Sequence, residues 1–340
     1  MIYILCPVDV KTGGTELLHQ LAFQLNSSSS NVRAKIAYYG KDTQIEPVKE
    51  FKKYIATNWI KESEIAESEK NVFIFPETGL SEFRKFKLGK KYIWWLSVDN
   101  FYESGFNGYG KIKDMIKMIS FYHSVGGIIK GRISNYKDEI KNADFHLFQS
   151  YYAENFLKEN GITKDKMAYL SDYINDLYVE RSNKALAHTR KNVVLYNPKK
   201  GYRYTQKIIK QSPSWVKWVP LINMTNQEVY ENLISGKVYI DFGNHPGKDR
   251  FPREAAISGC CILTDKKGSA AYYKDVPIPE EYKFEDKSQN IDQIIEKIIF
   301  CMKNYSTAID DFEEYRKYIK QEKHIFNSDV ETIFDDLGEK

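Results

Sequence analysis

Short apolar runs alternate with amphipathic segments along most of the chain. The run at 2–8, Ile-Tyr-Ile-Leu-Cys-Pro-Val, predicts a buried strand, and the segment 13–28 after it predicts a helix. The apolar positions of that helix recur at i, i+1, i+4, i+5 and i+8, which places them on one face (Leu17, Leu18, Leu21, Ala22 and Leu25). The same pattern predicts further strands and another helix in this half of the chain (strands 34–40, 71–77, 92–98 and 143–150, helix 151–162).

The alternation restarts after a polar stretch at about 176–190. It predicts four more strands and three helices (strands 192–198, 216–222, 237–243 and 260–265, helices 201–212, 225–236 and 253–259). Thr225, with Glu228 three residues later, is typical of a capping box at the start of a helix. The segment 290–325 has a helical and highly charged pattern.

Strands that alternate with helices in both halves predict an α/β protein with two Rossmann-like, doubly wound parallel sheets. We therefore expect a first domain at 1–175 and a second at 190–305, with a helical segment at 306–340 packing back toward the first. Ligands of such sheets bind beyond the carboxyl ends of the strands, so a cleft between the two domains is the expected site.

The composition disfavours some classes of function but does not identify the function. The chain has 340 residues and a net charge of +4 from 50 basic and 46 acidic residues, which disfavours nucleic-acid binding but suits a small anionic ligand. The 25 Tyr, 19 Phe and 5 Trp residues are mostly expected to fill the core. The chain starts on a predicted strand and has no long apolar run, so we expect a cytoplasmic protein.

The cysteines and histidines have no metal-binding spacing. The four cysteines are predicted to be reduced, buried thiols (Cys6, Cys260, Cys261 and Cys301). The six histidines are scattered; His146 lies within a predicted strand and is expected in the core, while His123 and His245 are candidates for the cleft. No metal ion and no cofactor are therefore expected.

Two loops that follow predicted strands have features of phosphate sites. Gly13 and Gly14 lie between the first strand and the first helix, where they allow close approach of a phosphate to backbone N–H groups, or simply form a turn. In the loop Tyr-Asn-Pro-Lys-Lys-Gly-Tyr at 196–202, Lys199 and Lys200 precede a helix start. Cations there oppose the helix dipole, so they would gain from a bound anion; the alternative is a solvated lysine pair.

The stretch from His245 to Thr264 combines cations, acids and a predicted helix. Glu254 follows Pro252 at the start of that helix, where an acid is favourable by itself because of the helix dipole. In the functional interpretation Glu254 accepts hydrogen bonds from sugar hydroxyls, while Lys248 and Arg250 in the preceding loop face phosphates.

At this stretch the sequence resembles a known family. Segment 252–264, Pro-Arg-Glu-Ala-Ala-Ile-Ser-Gly-Cys-Cys-Ile-Leu-Thr, is similar to the Pro-x-x-Glu-Ala-x-x-x-Gly-x-Pro-Val motif of GT-B nucleotide-sugar glycosyltransferases, with one residue fewer before the acid. The Lys-Lys-Gly at 199–201 resembles the Lys-Gly loop of that family, and Gly-Gly at 13–14 resembles its N-terminal glycine loop. The resemblance covers most of the chain as an order of motifs and is closest to the family-4-like type of bacterial polysaccharide synthesis.

The resemblance implies a GT-B fold and an activity. The chain would transfer a sugar, without a metal ion, from a nucleoside-diphosphate donor to a glycan or lipid-linked acceptor. Glu254 would bind the ribose or the sugar of the donor, Lys200 would contact the diphosphate, and Gly13 and Gly14 would lie against the phosphates.

The resemblance also assigns three neighbouring positions to the donor. Asn197 lies in the same loop as the two lysines. Gly268 and Ser269 follow the predicted strand 260–265, in a loop that approaches the donor in this family, and the backbone amides there would cradle a phosphate.

The sequence departs from the family at two charged positions. The earlier glutamate of the Glu-x7-Glu motif of retaining members falls at Pro246, so Asp249 is the nearest acid that could replace it. The family's arginine falls at Val194, so Arg250 or Arg203 would supply that charge. Retention of configuration is still favoured over inversion.

Asp99 follows the predicted strand 92–98 and is a third candidate catalytic acid. If the reaction inverts, Asp99 would take the proton of the acceptor hydroxyl. The alternative is an Asx turn or a helix cap. Trp94 and Trp95 are expected in the core, because neighbours in a strand point to opposite faces.

The acceptor side and two rival functions remain open at this stage. Segment 110–132 mixes basic and apolar residues, which suits contact with an anionic membrane but is more typical of an internal helix pair. A nucleotide-sugar epimerase would share the fold, and a non-catalytic binding subunit is compatible with the missing acid at Pro246. A dehydrogenase is disfavoured because the first strand lacks the GxGxxG fingerprint.

Overall fold

A computed structural model gives the fold and describes residues 1–27, 32–40, 46–103 and 136–335. The chain forms two compact units: the first contains Met1–Ser171 and Phe326–Lys340, and the second contains Asp172–Ile325. The segment 110–132, for which a membrane contact was considered, lies outside the described residues.

The first unit is built on a parallel sheet of seven strands in the order β3-β2-β1-β4-β5-β6-β7. The strands are β1 (Ile2–Pro7), β2 (Ala34–Tyr39), β3 (Trp59–Lys61), β4 (Val72–Pro76), β5 (Lys90–Trp95), β6 (Phe145–Phe148) and β7 (Met167–Tyr169). The helices of this part of the chain include α1 (Gly13–Ser27), α2 (Lys52–Ile55), α3 (Val98–Glu103) and α4 (Tyr151–Glu159), and residues 136–142 are also helical.

The second unit is built on a parallel sheet of five strands in the order β12-β11-β10-β8-β9. The strands are β8 (Lys191–Tyr196), β9 (Lys217–Pro220), β10 (Gly236–Asp241), β11 (Cys261–Asp265) and β12 (Lys283–Phe284). The helices are α5 (Asp176–Glu180), α6 (Ser182–Leu186), α7 (Tyr202–Gln211), α8 (Asn226–Ser235), α9 (Arg250–Ile257), α10 (Ile291–Lys303), α11 (Tyr305–Ala308) and α12 (Glu313–Phe334), the last of which continues into the first unit.

The apolar runs of the sequence become strands that are covered on both faces. Five successive residues of β1, from Ile2 to Cys6, are buried, as expected for a central strand of a parallel sheet. Helix α1 buries the predicted leucine face. Trp94 and Trp95 are fully buried, and the indole of Trp95 donates to the ring of His146 at 3.1 Å, so all three belong to the core as expected.

Each sheet has a topological switch point, where successive crossovers turn to opposite sides of the sheet. In the first unit it lies between β1 and β4, and in the second between β8 and β10. Parallel strands leave a crevice at this point beyond their carboxyl ends, where ligands of doubly wound sheets bind. The loop after β8 and the loop after β10 therefore form the expected binding edge of the second unit.

The elements missing from the sequence prediction are short. The strands β3, β7 and β12 span two or three residues, which is too few for an alternating pattern to be recognised. The polar stretch at 176–190 contains helices α5 and α6 rather than a plain linker. In α5, Asn175 caps the helix by accepting a hydrogen bond from the backbone of Leu177 at 3.0 Å.

The four cysteines are buried, unpaired thiols, as expected. Among the described residues, the helices include none with the length and apolar content needed to cross a bilayer.

The capping box predicted for α8 is confirmed. The side chain of Thr225 accepts from the backbone of Glu228, and the Glu228 carboxylate accepts from the Thr225 backbone at 2.6 Å. We predict that Thr225→Ala lowers the free energy of unfolding by about 1 kcal/mol, because it leaves an amide of the first turn without its acceptor. Denaturant titration measures the loss.

Thr332 provides the control for this prediction. It is exposed in α12 and its hydroxyl donates back to the Ser328 carbonyl, so it satisfies no amide at a helix start. Thr332→Ala should change stability by less than about half a kcal/mol. An equal loss in the two variants would contradict a specific role of the cap.

Candidate functional site

The loop that connects β8 to α7 brings Lys200 to the switch point. The carboxamide oxygen of Asn197 accepts from the backbone of Lys199 at 3.0 Å, which forms an Asx turn and leaves the Lys199 side chain exposed. Gly201 then adopts a φ of +54°, and a Cβ there would lie 1.9 Å from the carbonyl oxygen of Phe242. Only glycine allows this contact, so the loops after β8 and β10 pack closely.

The loop after β10 carries a buried histidine between carboxylates. The Nδ1 atom of His245 lies 2.8 Å from Asp249. Its Nε2 atom lies 3.4 Å from Asp265 and 3.9 Å from the carboxylate of Asp241. Asp241 and Asp265 end the neighbouring strands β10 and β11, and the hydroxyl of Tyr239 donates to Asp241 at 3.1 Å. His245 thus connects the ends of two strands to the start of α9.

Asp249 joins this cluster to Lys200. The ammonium of Lys200 donates to the Asp249 carboxylate at 2.6 Å. The two side chains remain 27% and 20% exposed, while the side chain of His245 is fully buried. The Lys200–Asp249 pair is therefore the part of the cluster that a ligand from solvent can reach.

The charges of the cluster shift its pKa values in opposite directions. Burial alone would lower the pKa of His245, but Asp241, Asp249 and Asp265 outweigh it and raise that pKa to about 9. Burial would likewise lower the pKa of Lys200, but the same three carboxylates raise it. At neutral pH both residues are therefore cations.

The carboxylates respond according to their partners. Burial would raise the pKa of Asp249, but the contact with His245 and the charge of Lys200 lower it, so this group is ionised. Burial dominates at Asp265 and raises its pKa to about 7, although His245 and Lys267 oppose the shift. Burial also raises the pKa of Asp241.

Asp241, His245 and Asp249 also have the spacing of a metal site. One potential ligand atom of each lies within 4.8 Å of the others. A metal ion there would have to displace the proton of His245 and compete with the Lys200 ammonium for Asp249. In the protonated state the cluster is neutralised by a proton and an ammonium.

The loop after β11 is held against the His245 loop. The backbone of Ser269 donates to the carbonyl of His245 at 2.9 Å, and the Ser269 hydroxyl donates to the carbonyl of Gly247 at 2.7 Å. Gly268 has a φ of +51°, and a Cβ there would lie 1.9 Å from the His245 carbonyl oxygen. The amide of Ala270 donates to Lys267. The amides of residues 269 and 270 are thus used internally rather than exposed as a phosphate cradle.

Helix α9 begins earlier than the sequence predicted. It starts at Arg250, with Asp249 as the residue before it, so Glu254 lies in the second turn and Pro252 in the first. Proline is tolerated in a first turn because its missing N–H would have no intrahelical partner there. The dipole explanation for an acid at the helix start does not apply to Glu254, which is half-buried.

The structure corrects the expected role of Lys248 and the expected position of Arg250 near this helix. Lys248 does not face a ligand: its side chain is buried and pairs with Glu322 at 2.8 Å and with the hydroxyl of Tyr318 at 2.9 Å. Arg250 belongs to α9 rather than to the loop, and its Nε atom lies 3.5 Å from Asp172. The side chain of Arg250 remains 21% exposed.

Three predicted site residues belong to the first unit. Gly13 and Gly14 form the start of α1, as expected, and the Thr12 hydroxyl accepts from the backbone of the third residue of that helix. Asp99 lies in the first turn of α3, and its carboxylate accepts from the hydroxyl of Tyr152 at 2.9 Å. The cap of α3 is Ser97, whose hydroxyl accepts from the backbone at 3.1 Å, so Asp99 is not the cap.

Sequence reasoning missed most of the buried charges around Lys200. Asp241 and Asp265 were detectable in principle, because each ends a predicted strand and neighbouring parallel strands end at one edge. His245 was noted only as a candidate for the cleft, although Asp241 and Asp249 lie four positions before and after it. Arg253 was not singled out at all, although it is among the largest fully buried side chains.

The buried imidazolium should make stability depend on pH. The folded pKa of about 9 lies above the ordinary 6.5, so the folded state keeps a proton that the unfolded chain loses. This contribution is complete below pH 6.5 and disappears as the pH rises through 9. We predict a fall of about 2 kcal/mol in unfolding free energy between pH 7 and about pH 9.5.

Denaturant titration of the wild type and of His245→Asn across this range measures the effect. The slope should be clearly smaller in His245→Asn, with a remainder from Asp265, whose raised pKa of about 7 lies at the start of this range, whereas Thr225→Ala should lower the curve by a constant amount. An equal slope in the wild type and His245→Asn would show that other groups cause it.

No family model matches the sequence, and no curated protein matches it. Several solved structures share its fold at low sequence identity. HepE from Anabaena in complex with UDP has 11% identity and a TM-score of 0.60, with 98% of this chain and 99% of that chain covered. HepE has also been solved with UDP-glucose, at a TM-score of 0.57.

Two further structures are similar over the whole chain. Sucrose-phosphate synthase from Thermosynechococcus elongatus has 12% identity and a TM-score of 0.64, with 99% of this chain and 98% of that chain covered. The lipopolysaccharide outer core galactosyltransferase WaaB has 11% identity and a TM-score of 0.62, with 99% and 100% covered. The chain therefore has the fold of GT-B glycosyltransferases, with two Rossmann-like units, as the sequence predicted.

Proposed function

We propose that this protein is a glycosyltransferase that moves a sugar from a nucleoside-diphosphate donor, with the diphosphate bound at Lys200. The observation that carries the proposal is the Lys200 ammonium at the switch point of the second sheet, partly exposed and fixed by Asp249. The fold, shared with glycosyltransferases, supports it. HepE, one of these similar proteins, has been solved with UDP-glucose, so UDP-sugars are the first donors to test.

The Lys200 ammonium can hold Asp249 and a phosphate at the same time. An ammonium has three N–H donors, and within the described part of the chain only Asp249 accepts a hydrogen bond from this one. A diphosphate oxygen can take a second donor without displacing Asp249. The carboxylate then serves to orient the ammonium, and the start of α7 next to it adds the favourable dipole of a helix N-terminus.

A fixed cation at this position suits the chemistry of sugar transfer. When the bond between the anomeric carbon and the donor oxygen breaks, negative charge develops on the leaving diphosphate. A preoriented ammonium stabilises that charge without reorganising during the reaction. The raised pKa of Lys200 keeps the ammonium protonated at neutral pH, so it acts as a charge rather than as a proton donor.

We propose that the transfer needs no metal ion and retains the anomeric configuration. Lys200 and the protonated His245 supply the cations that a metal would otherwise bring to this edge. An inverting reaction would instead use Asp99 as its base; this carboxylate accepts a hydrogen bond from Tyr152. Glu254, half-buried in α9, would bind hydroxyls of the donor, and Asp249 would act through Lys200.

The remaining donor contacts are also proposals. Arg250 is a second, partly exposed cation at the start of α9, and we propose that Gly13 and Gly14, at the start of α1, also bind the donor phosphates. We propose a glycan or lipid-linked glycan as acceptor. The support for this acceptor class is the similar fold of WaaB, which is named as a galactosyltransferase of the lipopolysaccharide outer core.

We predict that Lys200→Met lowers the affinity for UDP at least about tenfold, because a charge-assisted hydrogen bond to the diphosphate is lost. Isothermal titration calorimetry with UDP and UMP measures it, and UMP binding should change less. Lys210→Met is the matched control, since Lys210 is exposed in the last turn of α7. Equal affinities for UDP in the wild type and Lys200→Met would contradict the proposed diphosphate site.

We predict that Glu254→Gln lowers turnover at least about tenfold while the melting temperature changes little. The assay measures nucleoside diphosphate released from a panel of nucleotide sugars, in the presence of EDTA, and NMR of the product reports its anomeric configuration. Full activity of Glu254→Gln would refute the role of Glu254. Loss of wild-type activity in EDTA would contradict metal independence, and donor binding without transfer or hydrolysis would favour a non-catalytic binding subunit.

A further inference from the structure

Arg253 is the most deeply buried charge of α9. Its side chain is fully buried, yet its guanidinium has four acceptors. Its NH2 group lies 2.8 Å from the carboxylate of Asp172, and its NH1 group lies 2.9 Å from Glu322. The other two acceptors are the carbonyl oxygens of Lys248, at 2.9 Å, and Asp249, at 3.1 Å. A planar guanidinium can satisfy this arrangement, whereas an ammonium cannot reach it.

The two carbonyls belong to the residues that precede α9. Lys248 is held a second time, because its ammonium pairs with the same Glu322 carboxylate at 2.8 Å and lies 4.6 Å from the centre of the Tyr318 ring. The backbone of residues 248 and 249 is thus fixed by buried, charged hydrogen bonds. The side chain that leaves this backbone is the Asp249 carboxylate, which contacts Lys200 and His245.

The carboxylate partners of Arg253 come from the two ends of the second unit. Asp172 is the first residue of the unit, and Glu322 lies in α12 shortly before Ile325, its last residue. Both carboxylates are buried, and burial would raise the pKa of Asp172, but Arg253 and Arg250 lower it. The guanidinium therefore connects both chain ends of the unit to the backbone that carries Asp249.

We propose that Arg253 is a positioning residue: through the carbonyls of Lys248 and Asp249 it fixes the Asp249 carboxylate, and thereby the Lys200 ammonium, in the geometry that binds a diphosphate. The diphosphate part of this inference rests on the proposed function. The link from Arg253 to Asp249 does not. Buried ion networks are weak evidence for stability. A specific geometric role is therefore a better explanation for the network around Arg253 than stabilisation.

Charge-conserving variants separate geometry from charge. Arg253→Lys keeps the positive charge but cannot bond four acceptors in one plane. Arg190→Lys is the matched control, because Arg190 also donates to several carbonyls, among them Leu233 at 3.1 Å and Gly236 at 2.8 Å. It precedes β8 and meets α9 at Ser258, after the opposite end of that helix from Asp249. If Arg253→Lys does not fold, Glu322→Asp is measured in its place, because this change shortens a carboxylate side chain that bonds to Arg253.

The first readout needs no ligand: the titration of the His245 ring, followed by NMR in folded protein and assigned by its absence in His245→Asn. Asp249 helps to raise the pKa of His245, so a displaced Asp249 must lower it. We expect a decrease of about half a pH unit or more in Arg253→Lys and none in Arg190→Lys, even if both melt earlier. The second readout is UDP affinity, which should fall about fivefold in Arg253→Lys, the equivalent of one hydrogen bond.

The two readouts distinguish the two claims. A shifted His245 titration in a protein that binds no nucleoside diphosphate would preserve the link from Arg253 to Asp249 and refute the proposed function. An unshifted titration in folded Arg253→Lys, or in folded Glu322→Asp if that variant is used, would overturn the positioning role. An equal shift in Arg190→Lys would overturn it too, because the effect would then come from general loosening.

Discussion

One ion pair, between Lys200 and Asp249, joins the two loops that meet at the switch point of the second sheet. Lys200 follows β8 and Asp249 precedes α9 after β10, so the pair bridges the crevice where ligands of doubly wound sheets bind. A lysine side chain is flexible and loses rotamer freedom when it is fixed. The ion pair with Asp249 fixes the Lys200 side chain when the protein folds, so this loss of conformational entropy occurs before a ligand binds. A ligand therefore meets an ammonium that is already oriented.

The cluster behind this pair keeps Asp249 in place. His245 is fully buried among Asp241, Asp249 and Asp265, and its raised pKa means that the protein keeps the imidazole charged at neutral pH. Two glycines with positive φ, at 201 and 268, allow the three strand-end loops to approach this closely. The position of Lys200 therefore depends on three features: the close backbone contact of the loops, the charge of the carboxylates and the imidazolium of His245.

Much of the fold could be predicted from the sequence, because long apolar runs and amphipathic helices are local patterns. The run 2–8 became β1, and Thr225 and Glu228 became the cap of α8. The loop containing Lys200 was also predictable, since a cation beside a helix start is an unusual local choice. The bounds of α9 were not: Asp249 is a common residue type before a helix start, but the proline at 252 favoured a later start than the observed Arg250.

The rest of the site depends on contacts between residues that are far apart in the sequence. Arg253 bonds to Asp172, 81 positions away, and to Glu322, 69 positions away, so no local pattern could reveal them. Lys248 was wrongly expected to face a phosphate. Its contact with Tyr318 forms only in the tertiary structure, so no local pattern shows that this lysine is buried. The charges in the sequence identified Lys200, the partly exposed cation of the ion pair with Asp249. They did not identify the buried charged side chains that fix this pair.

A crystal structure of the full chain with UDP tests the central claim most directly. We predict a diphosphate oxygen within hydrogen-bond distance of the Lys200 ammonium, with Asp249 still bonded to that ammonium and His245 unmoved. A diphosphate bound elsewhere on the chain would contradict the account, as would one that displaces Lys200 from Asp249.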